Sequence, residues 1–194
     1  MKQLLFFLIL FFTIPSYAQN TSTKSLKFGA GIGFAESENC TGIGTHYSIG
    51  YQKNIYKDRL RFNPNISVGF YSPVFITDLP DQYFNSININ ANLNYDIIKI
   101  RRFSVLIYGG IEAGIVQGYV GSGGMPYEDE NGNLSSGMND YYIHDFHLGG
   151  NFGAGFRILS KSQNTAFNFL PFNFRIGYPR FIEAFYKFEV DFKF

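Results

Sequence analysis

The chain has 194 residues and a formal net charge of +1; it is 45% hydrophobic, 19% aromatic and only 16% charged. That near-neutral balance gives no basis for nucleic acid or an acidic partner, and the length suits one domain. With 23 Phe, 14 Tyr, 21 Gly and no Trp, the composition is unlike that of a water-soluble globule. The single Cys40 cannot form an internal disulfide, and no Cys/His cluster has metal-ligand spacing.

The N-terminus reads as a secretory signal peptide over residues 1–18. Lys2 supplies the charge, the block from Leu4 to Ile14 the apolar region, and Ser16 and Ala18 the small residues before a cut at Gln19. An N-terminal membrane anchor is the competing reading, but the block falls short of the roughly 20 residues a spanning helix needs. No Cys sits at the cut, which disfavours a lipoprotein. Residues 19–194 form the mature domain, and it holds no further apolar run long enough for a transmembrane helix.

Eight alternating stretches follow. The first sets Leu26, Phe28, Ala30, Ile32 and Phe34 against Lys27 and glycines. The second opposes Tyr47, Ile49, Tyr51 and Ile55 to His46, Ser48, Gly50, Gln52 and Asn54. The third opposes Leu60, Phe62, Ile66, Val68 and Phe70 to Arg61, Asn63, Asn65, Ser67 and Gly69. In the fourth, Ile87, Ile89, Ala91, Leu93, Tyr95 and Ile97 alternate with Asn88, Asn90, Asn92, Asn94 and Asp96, an amide ladder in a residue type that disfavours strands. The fifth carries Phe103, Val105, Ile107, Ile111 and Ile115 opposite Ser104, Tyr108, Gly110, Glu112 and Gly114. The sixth sets Tyr142, Phe146, Leu148, Phe152, Ala154 and Phe156 against Asp145, His147, Gly149, Asn151, Gly153 and Arg157. The seventh has Phe172, Phe174 and Ile176 against Asn173, Arg175 and Gly177. The last has Tyr186, Phe188, Val190, Phe192 and Phe194 against Lys187, Glu189, Asp191 and Lys193.

Odd connections are expected to be long, about 37–42, 73–82 and 121–140, with the one near Pro179 short. Even ones, near Lys57, Lys99–Arg102 and Leu159–Asn164, are expected to be mostly tight, on the side of both termini. Pro64 predicts a bulge or ladder break near the turn end. The parity change between Phe169 and Phe172 predicts a β-bulge at Leu170–Pro171.

The apolar face is too rich in Phe, Ile, Leu and Tyr for the interior of a small barrel. Gly, Ser, Asn and charges of both signs on the other face suit a narrow lumen. A chain without helical spans crosses a bilayer only as a closed barrel. The expectation is all-β: an eight-stranded antiparallel up-and-down transmembrane β-barrel, with aromatic girdles at the interfaces. Signal peptide, eight amphipathic strands and the terminal FYKFEVDFKF resemble the small Gram-negative outer-membrane barrels of the OmpA and OmpX type, over roughly Lys24 to Phe194. The Ala-Gln junction and the Phe/Tyr/Asn-rich strands are also similar to barrels of Bacteroidota. The resemblance implies outer-membrane localisation and contact with outer-membrane lipids and lipopolysaccharide. It further implies a C-terminal strand, with Phe188, Phe192 and Phe194, read by the barrel-assembly machinery. It carries no expectation of an OmpA-type peptidoglycan-binding domain after the barrel.

Candidate chemistry is sparse. His144 and His147, three apart, fall on opposite faces of a strand and make a poor metal pair. His46 and His147 share the lumen side with Asp145 and Glu112, as a relay or, more simply, a hydrogen-bonded network. His144 points outward near the rim, where some small barrels of this kind place the His of lipid A deacylases or acyltransferases, but no Ser and acid partner it. Gly29, Gly31 and Gly33 precede no helix, so they imply no nucleotide site. In 121–140, Glu128, Asp129, Glu130 and Asp140 fail calcium-loop spacing because Tyr127 and Met138 occupy the end positions. Asn131–Gly132 predicts a hairpin turn. No catalytic residue, cofactor or metal site is assigned.

Interleaved Arg61, Asp96, Glu112, Arg157, Arg175, Glu189 and Asp191 are expected to pair and fill the lumen. The function expected is a structural or interaction barrel, not an enzyme, acting through its extracellular loops, with 121–140 the place for a ligand. The alternatives are a lipid A-modifying enzyme, a narrow channel, or a secreted soluble lipid-binding barrel.

Overall fold

The computed structural model describes residues 24–37, 40–56, 59–73, 83–120, 127–128, 134–135 and 141–194. Residues 1–18, read in sequence as a signal peptide, the turn expected at Asn131–Gly132, the segment 74–82 and most of 121–140 lie outside them. The strands are β1 (Lys24–Ser37), β2 (Cys40–Tyr56), β3 (Leu60–Pro73), β4 (Tyr83–Ile100), β5 (Phe103–Val120), β6 (Tyr127–Glu128), β7 (Leu134–Ser135), β8 (Tyr141–Leu159), β9 (Thr165–Tyr178) and β10 (Phe181–Lys193).

Eight of these close into an antiparallel barrel in the order β1-β10-β9-β8-β5-β4-β3-β2. Every sequence neighbour in the barrel is a spatial neighbour, and β1 and β10 make the seam, from Ser25 opposite Lys193 to Ser37 opposite Phe181. Closure leaves no unpaired edge, which is the condition for carrying a polar backbone through a bilayer. The short β6 and β7 pair with each other, Tyr127 opposite Ser135 and Glu128 opposite Leu134.

The alternation falls as read. Ile89 is 63% exposed, Ile111 72% and Phe172 60%, all on the outer wall, whereas Asn90, Glu112 and Asn173 beside them are buried in the lumen. In water such a wall would be an apolar patch far larger than the few hundred Å² soluble proteins tolerate. Aromatic pairs knit it across strands, among them Phe28 with Phe192 at the seam and Phe152 with Phe174.

Both prolines act locally. Opposite Pro64, pairing of β2 with β3 skips Tyr51 and Gln52 and then resumes in unchanged register, a ladder break without a bulge. At Pro171 the register of β9 shifts against both neighbours, between Phe185 and Lys187 on β10 and between Ala154 and Phe156 on β8. One extra residue in β9 therefore restores outward parity to Phe172. A further shift between Asp96 and Ile98 leaves Ile97 and Ile98 both exposed.

One expectation changes. The connection β1–β2 is not a long loop: Ser37 is paired with Cys40, so only residues 38–39 lie between the strands. Long segments thus join only β3 to β4 and β5 to β8. The barrel strands run from 13 residues in β10 to 19 in β8, longer than the roughly 9–11 that cross a membrane.

Candidate functional site: the lumen

Alternation sends every second residue inward, and eight strands leave room only for side chains. What the lumen can do therefore depends on which side chains meet across it.

Arg175 of β9 is the central node. Its Nη1 donates to Glu183 Oε2 on β10 at 2.6 Å, and its Nη2 to Ser67 Oγ on β3 at 2.8 Å. Nε lies 3.3 Å from Glu112 Oε2 on β5, an ion pair without hydrogen-bond alignment. The guanidinium also sits 5.0 Å over the Phe185 ring. Glu183 gathers three partners: Arg175, the Tyr71 hydroxyl, which donates to it, and His46, whose Nδ1 is 3.2 Å away.

Toward the turn end, opposite charges pair again. Arg61 forks onto Asp96, with Nη1 to Oδ2 at 2.8 Å and a second bond from Nη2. Arg157 lies 3.2 Å from Asp191, and Lys27 and Lys187 flank Glu189 at 3.0 and 2.7 Å. The pairing expected for the lumen charges is present, and all these groups are at least nine-tenths buried. Glu183, Lys27 and Lys187 are additions to that set. Extending the parity of Lys187 four residues upstream was the signal that finds Glu183.

The amide ladder of β4 spans the interior. Asn90 donates to Asn65 Oδ1 at 3.0 Å and accepts from Asn151 Nδ2 at 3.0 Å, linking β3, β4 and β8. Asn94 donates to Gln52 Oε1 and Asn88 to Ser86 Oγ, both at 3.3 Å. Amides thus bridge strands without adding net charge.

The loop end differs from the sequence expectation. Here the inner face is not Gly, Ser and Asn but an apolar cluster of Ala35, Tyr71, Phe84, Val116, Ile143 and Phe181, with Cys40 packed against it. Lower down, Leu106, Leu170 and Phe185 also point inward. A small polar gap beneath the cluster is lined by Arg61, Arg157, Arg175, Lys187, Glu189 and amides among others.

The histidines separate by face. His46 stacks on Phe185 at 4.4 Å and His147 on Phe181 at 4.2 Å. His147 Nε2 is 3.8 Å from Glu112 Oε1, and neither of its ring nitrogens has a hydrogen-bond partner among the described residues, so of the two lumen histidines it is His46 that joins the Arg175–Glu183 network. Room for the His147 ring comes from glycine: an added Cβ would stand 2.6 Å from it at Gly114 and 2.7 Å at Gly177. Asp145 lies nearer the loop end, its Oδ2 without a hydrogen-bond partner among the described residues. His144 faces outward and meets Gln117 at 3.1 Å. No group of metal-ligating side chains occurs among the described residues, and the acidic stretch 128–130 lies outside the described side chains.

No family model matches the chain, and no curated protein matches it. Solved structures do. Neisserial surface protein A superposes with a TM-score of 0.60 at 15% identity, over 88% of this chain and 97% of that one. Ail, the attachment invasion locus protein of Yersinia pestis, gives 0.56 at 9% identity over 89% and 99%. A major outer membrane protein of Thermus thermophilus gives 0.54 at 12% identity over 88% and 99%. At these identities the likeness concerns architecture: the chain has the fold of the small eight-stranded outer-membrane β-barrels.

Proposed function

We propose that this chain is an integral outer-membrane barrel with a lumen closed to general diffusion, acting as a structural or interaction protein through its loop end. The observation that carries the closed lumen is the apolar cluster packed over the Arg175 node. Side chains from β2, β3, β5, β9 and β10 meet on one guanidinium and its carboxylates, and rings cover them toward the loops. Planar-bilayer conductance tests it. The expected trace lacks large steady single-channel steps, and such steps would sink the reading.

The partners proposed are the outer-membrane lipids, including lipopolysaccharide, the barrel-assembly machinery at the last strand, and a ligand at 121–140. Outward-facing Phe188, Phe192 and Phe194 are consistent with the assembly signal. The Yersinia protein has been solved with the heparin analogue sucrose octasulfate. Segments 74–82 and 121–140 of this chain contain no Lys or Arg, so a neutral or cationic ligand fits them better than a polyanion. Lipopolysaccharide phosphates would meet these loops through bridging cations. Deleting 121–140 should abolish ligand capture while leaving a heat-modifiable barrel.

A further inference from the structure

Charge is sorted by end. The loop segments carry Asp78, Asp81, Glu128, Asp129, Glu130 and Asp140 in sequence, and Arg180 at that end is paired with Glu36 at 2.7 Å. Exposed at the turn end are Lys24, Lys53, Arg59, Arg101, Arg102 and Lys161. None of these forms an ion pair among the described residues. Asp96 and Asp191, toward the same end of their strands, are turned into the lumen and engaged there. Asp58 is the acidic residue that adjoins this group in sequence.

The cations form a collar. Lys24 stands directly opposite Lys53 in the ladder, an arrangement of like charges that destabilises a sheet when nothing lies between them. Backbone bonds join successive turns around the rim: Asp96 N to Arg59 O at 2.9 Å, Leu159 N to Arg102 O at 2.8 Å and Phe194 N to Lys24 O at 3.0 Å. The apolar wall runs up to this edge. Ile100, 63% exposed, and Phe103, 39% exposed, are paired across the turn made by Arg101 and Arg102, and Ile158 follows on β8.

We infer that the collar docks the phosphate headgroups of anionic phospholipids in the leaflet that the short turns face, an inference that rests on the membrane reading above. A lipid whose chains lie along Ile100, Phe103 and Ile158 brings its phosphate level with the guanidinium groups of Arg101 and Arg102. A soluble polyanion would have no use for the adjoining apolar wall. Barrels of this type keep short turns on the periplasmic side, so the leaflet is the inner one. Basic groups at an anionic surface attract it cumulatively and in a salt-dependent way.

The test uses the full chain folded into phosphatidylcholine vesicles carrying trace spin-labelled phosphatidylglycerol or phosphatidylcholine. Spectra of the protein-restricted lipid yield their relative association. Phosphatidylglycerol should be favoured about threefold or more at low salt, and the ratio should fall toward one at 1 M salt, where the Debye length is about 3 Å. Arg101→Gln with Arg102→Gln and Lys161→Gln should lower the ratio, and Arg180→Gln should not. The salt series on the unaltered chain decides the matter even if the triple variant fails to fold. A ratio of one at low salt, or one indifferent to salt, overturns the inference, as does binding of soluble peptidoglycan fragments without lipid selectivity. A chain that never becomes heat-modifiable overturns the membrane reading, and this inference with it.

Discussion

The loop end and the middle of the lumen are filled by opposite chemistry. At the loop end, Phe84, Val116, Ile143 and Phe181 touch one another and need no partner beyond contact. In the middle, Arg175, Glu183, Glu112 and His46 need one another, because a buried charge without a partner is costly. An apolar plug is tolerant: its members can be exchanged for others of similar volume. A charged node is specific, since it fixes which atoms meet. Shape therefore seals the mouth, whereas charge pairing holds the opposed strands in a defined arrangement.

Removing one member of the node should separate the two regions most sharply. Arg175→Met leaves Glu183 and Glu112 buried without their cation and should destabilise the barrel by about 3–5 kcal/mol, measured by urea unfolding from lipid vesicles. Adding Glu183→Leu and Glu112→Leu to that variant should recover most of the loss, because well-packed apolar replacements of a buried ionic group are often neutral or better. No recovery would show that the node contributes more than charge compensation. At the mouth, Ile143→Ala should cost about 2–5 kcal/mol through lost burial and cavity. Phe84→Ala combined with Phe181→Ala should also raise bilayer conductance, whereas Asn168→Ala near the turn end should not. Equal conductance in the two would contradict the apolar cluster as the seal.

The outer wall offers a control outside both regions. Ile89→Arg, placed on the lipid side near mid-strand, should cost about 2–4 kcal/mol in a bilayer and far less if that face met water. Smallest is the amide bridge: Asn90→Ala, which strands the amide of Asn151 and the carbonyl of Asn65, should cost about 1–3 kcal/mol by the same unfolding assay.

Much of this architecture was legible in the order of residues. Period two is local, so the pairs Ile89/Asn90 and Ile111/Glu112 announced their faces, and the Phe169 to Phe172 parity change announced the bulge at Pro171. The mouth was not legible. Tyr71, Phe84, Val116 and Phe181 lie on the polar parity, and an apolar residue on that parity reads as noise until closure brings it against others like it. Glu183 escapes the sequence pattern because β10 begins at Phe181, whereas the alternation is plain only from Tyr186. The β1–β2 connection reads as a loop in sequence because Ser37 and Cys40, paired in the structure, carry no alternation strong enough to extend the strands.

Residue order settles which side chains face in and which face out, since a strand flips its side chains at every residue whatever it pairs with. The partners come from the closed fold. Arg175 meets Ser67, Glu112 and Glu183 only because closure and stagger of the strands set β3, β5 and β10 at one height around it. That height is a property of the closed ring and of no single strand.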